Sequence, residues 1–401
     1  MDGGTSPYAR LGAPAETRRP ENGFDAPIVR RAHAPAEDAG AAARALSAGL
    51  GDGPFALIAV FVSPEGDIDE IGAGLGAAFP GATLIGCTTA GELSPEGYAA
   101  GEAVAVGLPS SSFSAFVTVI DKVSDFDAQA LAADLMSARA EQAQERPDWV
   151  DEFAFLMVDG LSLAEDRLTA ALSEALGPVP FFGGSAGDGL AFNRTLVLAG
   201  GASRTDAAVV ALIRTACRVK TFRLDHLKPT TARMVVTGAD PARRVVTEIN
   251  AEPAAREYAR ILGKDPEQLS PFIFAAHPVL VRIGGDHFVR AIQQVTPEGE
   301  MIFFSAIDEG LVLTLAETED IAEHLDRALG ELSRHEPPDA IIACDCILRR
   351  LEAEERQAVR EVSAILARRR VVGFNTYGEQ SDGAHVNQTM TGVAVYPPLV
   401  G

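Results

Sequence analysis

Short unbroken apolar runs recur along the chain, each closed by turn or charged residues. Phe55–Val62 (FALIAVFV) ends at Ser63-Pro64-Glu65, Phe153–Val158 ends at Asp159-Gly160, and Ala340–Cys344 ends at Asp345. Runs this short, dense in Val, Ile and Phe, predict strands buried on both faces. A helical stretch follows each one, at Ile68–Phe79, Glu165–Leu176 and Glu352–Arg369. Next comes a second strand (Ala82–Ile85, Phe181-Phe182, Val371-Val372), which runs into a glycine-rich acidic turn. Those turns read GCTTAGE at Gly86–Glu92, GGSAGD at Gly183–Asp188 and GFNTYGE at Gly373–Glu379. Further strands are expected after them at Ala103–Leu108, Thr195–Leu198 and Thr391–Val395. One supersecondary unit of roughly 35–38 residues therefore occurs three times, a length in the range of repeated modules.

The remainder reads differently. The first thirty or so residues lack a hydrophobic period and read as a loosely attached tail, and His33 is read as part of it. A helix is predicted over Pro35–Gly49. From Met234 the strand signals crowd together: Val235-Val236-Thr237, Arg243–Ile249, Phe272–Ala275, Val279–Ile283, Phe288–Ile292, Met301–Ser305 and Val312–Leu315. One helix, Glu252–Leu262, interrupts them, and Asp320–Leu332 closes the series. This is an antiparallel insertion or second domain, with the most economical boundary at Lys228-Pro229-Thr230-Thr231. The expected fold is α/β, with repeated strand–helix–strand units in mixed sheets. Its parts are a tail over residues 1–30, an N-terminal domain over 31–228 and a C-terminal domain over 229–401.

Composition narrows the class. Apolar residues make up 47% of 401, which excludes a disordered chain and supplies a large core. With 34 basic against 56 acidic residues the net charge is -22, so a nucleic acid or an anionic membrane would be repelled overall. Four cysteines are too few for a disulfide framework in a chain of this length. No apolar run is long enough to cross a bilayer, and no secretory signal is evident. A soluble, cytoplasmic protein is the expectation.

Candidate chemistry is sparse. The acidic turns read either as tight connections or as the lining of a shared cleft at strand ends, where open α/β sheets bind ligands. Under the second reading Gly86, Thr89, Glu92, Gly184, Asp188, Tyr377 and Glu379 line a pocket, with Arg282 or Arg290 as the cation. None of the turns matches a phosphate loop. Neither HExxH nor a Cys/His finger occurs, and no cysteine lies in an evident Cys–His pairing, so no enzyme is indicated. Among the seven histidines, His324 and His335 read as solvated. His226, in Phe222–Leu227 before the boundary, reads either as a hydrogen-bonded interfacial residue or as an axial ligand beside an interdomain cavity. His277 comes next, followed by His287 and His385. Cys344 and Cys346 share one face of a strand and read as small core residues or as a thiol pair.

The turns, with His385–Thr391 (HVNQTMT), resemble the FIST sensory domain family over about Phe55 to Val395. Thr247–Tyr258 (TEINAEPAAREY), Ala306–Leu313 (AIDEGLVL) and Cys344–Arg350 (CDCILRR) are similar to its NosP-type subgroup. That resemblance implies a non-covalent haem b whose iron binds nitric oxide, with a histidine kinase as signalling partner. It leaves room for a homo-oligomer. His226 is then the expected iron ligand and metal site, with His277 as the alternative. The wider family implies instead a haem-free sensor of a small, amino-acid-like metabolite, without catalysis.

Overall fold

The computed structural model describes residues 27–283, 285–381 and 383–398. The tail expected over residues 1–30 lies outside these except for its last four positions, and Arg30 opens a strand, Arg30–Pro35. His33 therefore sits in a sheet beside Glu102, 2.8 Å from its carboxylate, and not in a tail.

Each apolar run becomes the first strand of a parallel pair. Phe55–Val62 pairs with Thr83–Thr88, Asp151–Val158 with Phe181–Ser185, and Ala340–Cys346 with Val371–Thr376. Helices Ile68–Ala78 and Glu165–Leu176 make the first two crossovers. The third crossover is two helices, Ile347–Glu355 and Val359–Arg368, where the sequence predicts one long helix. The break has no glycine or proline to announce it. Gln357 takes the left-handed conformation at φ 58, and Ala358 N–H returns to the Ala353 carbonyl at 2.8 Å, a C-terminal capping turn. Beside the first strand of each pair lies an antiparallel partner: Glu102–Pro109, Ala207–Thr215 or Met390–Tyr396. An edge strand closes that side: Arg30–Pro35, Phe113–Asp121 or Arg218–Leu224. A helix then links edge strand to apolar strand, at Ala39–Leu50, Ala128–Glu145 and Ile321–Leu332. Asp38, Asp67, Asp127 and Asp320 cap four of these helices by accepting first-turn N–H groups.

Six strands complete each sheet, and the last two always come from another unit. The hairpin after the first unit's turn (Gly91–Ser94, Gly97–Ala99) joins the third unit's sheet through Phe374↔Glu92. The second unit's hairpin (Val197–Ala199, Ala202–Arg204) joins the first sheet through Leu198↔Gly86. The third unit's (Glu379–Ser381, Ala384–Val386) joins the second through Glu379↔Gly184. The exchange is cyclic. Inside the ring the apolar strands form one core, in which Phe61 stacks on Phe374 at 4.7 Å and Phe155 on Phe182 at 4.8 Å. Each helix pair covers an outer face with its own apolar cluster.

Between edge strand Arg218–Leu224 and helix Ile321–Leu332 the chain builds a separate eight-stranded sheet with its own core around Tyr258, Phe274 and Phe303. Phe272–Ala275, expected as a strand, lies within helix Pro271–Ala276, with Ser270 and then Pro271 at its start. Among the described residues no helix is long and apolar enough to cross a membrane.

Candidate functional site

The acidic turns are built from inward-facing polar side chains with local partners. Thr89 Oγ1 donates to Glu92 at 2.5 Å, and Glu92 accepts the Glu102 N–H at 3.2 Å, tying its turn to the start of the next long strand. Glu379 repeats this, accepting from the Thr376 hydroxyl, the Thr389 hydroxyl at 2.7 Å and the Thr389 N–H at 3.1 Å. Both carboxyls are fully buried. Burial, only partly opposed by these hydrogen bonds, raises Glu92 to about 7 and Glu379 to about 8. Gly86 lies under the Val60 carbonyl, and a Cβ at Gly184 would meet Thr376 at 2.4 Å. Gly86, Thr89, Glu92, Gly184 and Glu379 thus sit in packed turns with their contacts made.

His226 is also fully engaged. Its Nδ1 lies 2.8 Å from Arg349 Nη1, which only donates, so Nδ1 accepts and Nε2 carries the proton toward Glu352 at 2.7 Å. Arg349 continues to Asp345 at 2.8 Å, and Tyr98 donates to the same carboxylate at 2.5 Å. Burial above all lowers the His226 pKa. His324, expected on a solvated helix face, places a half-buried ring 6.0 Å from His226. Neither nitrogen of His226 is free for iron, so this site as built does not fit a haem ligand. His277 caps helix Pro271–Ala276 with a half-exposed ring, and its carbonyl accepts from Tyr258 at 2.6 Å. His287 and Arg282 are exposed. Cys344 and Cys346 are both buried, and desolvation pushes their thiols well up, as expected of core residues.

The remaining candidates converge with residues the sequence did not single out. Asp188 accepts three backbone N–H groups, from Phe192, Asn193 and Arg194, each at 2.8 Å. It also accepts a hydrogen bond from the Tyr377 hydroxyl. This folds the second unit's loop onto the third unit's turn and sets Phe192 against Tyr377, ring centres 4.8 Å apart. Phe304 of the insertion completes an aromatic trio, 5.7 Å from Phe192 and 5.8 Å from Tyr377. Phe192 (φ 52) and Arg244 (φ 53) both hold left-handed backbone, a conformation costing such residues about 1–3 kcal/mol and concentrated at functional sites.

Polar groups surround the trio. Arg244 donates to the Phe304 carbonyl, to Glu165 at 2.8 Å and to Asp166 at 3.1 Å, pinning the insertion to the second unit. Arg290 is buried and gives one Nη to its neighbour's carbonyl at 3.1 Å, while its Nε has no partner among the described residues. Ser305 Oγ, His385 Nε2 and Asn387 Oδ1 are likewise buried and unpaired there. Glu165, Asp166, Arg244 and Arg290 all act electrostatically on His385, whose pKa burial lowers. Gly378 makes this packing work, because a Cβ there would lie 2.3 Å from the His385 ring and 3.0 Å from Asn387. Tyr377, Asp188, Arg290 and the candidate His385 are thus brought together, with Phe192, Phe304, Ser305, Asn387 and Arg244 added. Only the polar run His385–Thr391 between buried strands signalled any of the additions.

Among the described residues no group of three or more His, Cys, Asp or Glu side chains could hold a metal ion. No curated protein matches the chain. A family model of the FIST N domain matches residues 56–252, and one of the FIST C domain matches residues 254–382.

Proposed function

This is a FIST-domain protein, its N and C domains in tandem and its role sensory, and on that premise we propose that it binds a small metabolite at the seam of the second unit, third unit and insertion. One observation carries the reading. Four buried polar atoms on Arg290, Ser305, His385 and Asn387 lack partners among the described residues around a shared aromatic trio. Buried donors and acceptors cost free energy unless paired, so a place that gathers several is a place a ligand satisfies. Because the seam joins the ring to the separately packed insertion, a ligand seated there biases how the two sit against each other. The protein acts without catalysis and passes the signal to another protein, a histidine kinase in the arrangement the resemblance implies.

The haem-based nitric-oxide reading rests on the similarity of residues 247–258, 306–313 and 344–350. With both nitrogens of His226 engaged, that reading passes to His277. A single comparison separates the two. Full-length protein purified after expression with haem supply is tested by visible spectroscopy and by thermal unfolding against a metabolite panel. The seam reading expects a colourless protein whose melting temperature rises with a metabolite, and loss of that rise in Phe304→Ala. A near-stoichiometric Soret band that shifts with nitric oxide and disappears in His277→Ala overturns it.

A further inference from the structure

Inside the ring one level of the apolar core is built unevenly. Ala59, Phe155 and Ile342 hold matching registers on the three apolar strands, each one position before the residue that faces the first glycine of a turn. All three belong to the common core, since alternate residues on a strand share a face. Phenylalanine and isoleucine fill their shares of this level, and alanine leaves its share open. A cavity lies there, walled by these three side chains and by Val106, Phe182 and Ile213 among others. Val106 is the cross-strand partner of Ala59, and Phe182 that of Phe155. Every lining residue is buried, and the centre of a water-sized molecule has about 10 Å³ in which to move. With even play that is a hole of roughly 2.5 Å in radius, wider than a water.

The lining decides what can enter. No polar atom faces the cavity, so a water placed there would surrender its hydrogen bonds and an ion its hydration. Lining carbons that face a gap have no dispersion partners on that side. An uncharged guest without hydrogen-bonding groups restores those contacts and leaves water favourably. The size admits a single guest of about two heavy atoms, or one xenon atom. Its walls come from all three units: Ala59 and Val106 from the first, Phe155 and Phe182 from the second, Ile342 from the third. A guest is therefore held by the assembled ring and by no unit alone, and its binding favours the assembled ring. None of the walls belongs to the seam, so the cavity neither needs nor replaces a metabolite there.

We infer that the core of the ring holds a binding site for one small apolar molecule, with Ala59 as the residue that makes room for it. A longer chain overpacks this level, and a hydroxyl finds no partner in it.

Ethane and methanol are matched in size and differ by the hydroxyl, and xenon probes the space alone. Each is titrated into the full chain with labelled methyl groups and followed by NMR. Xenon and ethane should shift the Ile342 and Ile213 methyl signals saturably, and ethane should bind at least about tenfold tighter than methanol. Ala59→Val fills the space and should abolish the Ile342 and Ile213 shifts, with an unchanged far-UV spectrum and cooperative melting. Ile342→Val changes the same level by a single carbon but widens it, and should keep the Ile213 shift. Absence of saturable shifts with xenon and ethane in the wild-type protein overturns the site. Methanol binding as tightly as ethane overturns the apolar class. Shifts that survive in a folded Ala59→Val, or vanish in a folded Ile342→Val, overturn the placement at Ala59. If Ala59→Val does not fold, the wild-type titrations and Ile342→Val decide by the same criteria.

Discussion

Glu379 shows how far a residue's surroundings reset its chemistry. Carboxylates at turns ordinarily titrate near 4.5, yet burial carries this one to about 8 despite three hydrogen bonds, and Glu92 to about 7. A carboxyl whose folded pKa is raised holds its proton more tightly in the native state. Its stabilising contribution is complete below the unfolded value and is lost as pH rises through the folded value. The protein should therefore lose stability between about pH 5 and about pH 8, by an amount on the order of 2–4 kcal/mol from Glu379 alone. Urea unfolding across that range should show a decline that Glu379→Gln flattens. A variant slope equal to wild type would remove Glu379 as the cause. That these acids recur at repeat positions was legible in the sequence. Their isolation from water was not, since desolvation comes from strands of another unit. His226 makes the same point: its interfacial place could be read, but the partners Glu352 and Arg349 lie more than a hundred residues away.

At the scale of elements the repeats follow one steric rule. Val60↔Gly86, Leu156↔Gly183 and Ala343↔Gly373 occupy matching registers in the three parallel pairs. A Cβ on each glycine would lie 2.4, 2.5 or 1.8 Å from the carbonyl oxygen facing it. Glycine is required there because the strands approach too closely for any side chain. Gly183→Ala should cost about 3 kcal/mol, since the obstacle is backbone and cannot rotate away. Chemical denaturation measures it, and a loss of only a few tenths would show that the strands separate freely. Apolar runs and glycine turns made the parallel pairs readable, because burial on both faces leaves a continuous signal. Edge strands Phe113–Asp121 and Arg218–Leu224 and helix Ala128–Glu145 left little trace. A half-exposed strand and an alanine-rich helix carry weak periodicity, and their partners decide them.

For the whole molecule, the cyclic exchange of hairpins links the three units into one mechanical object. Unit one needs strands of unit two, unit two those of unit three, and unit three those of unit one. A unit separated from the others exposes the edge of its parallel pair and loses a wall of the common phenylalanine core. The segment 27–228 expressed alone keeps only the edge strand Arg218–Leu224 of the third unit and should give no cooperative thermal transition, whereas the full chain should melt the ring as a unit. A sharp transition in the segment, with matching far-UV and near-UV signals, would show that two units suffice.

The sequence by itself determined the alphabet of this protein: three strand–helix–strand units, a strand-rich insertion, acidic glycine turns and an acidic surface. Each of these is a local property, set by hydrophobic period, turn chemistry or net charge. Tertiary structure alone decided which hairpin completes which sheet and that Glu379 and Glu92 are buried. It also decided that His226 is consumed by Arg349 and Glu352. The seam, where Phe192, Tyr377, Phe304, Arg290 and His385 meet, belongs to that second class. Its members come from two repeat units and the insertion, and hydrophobic period records how each element is buried, not which elements meet.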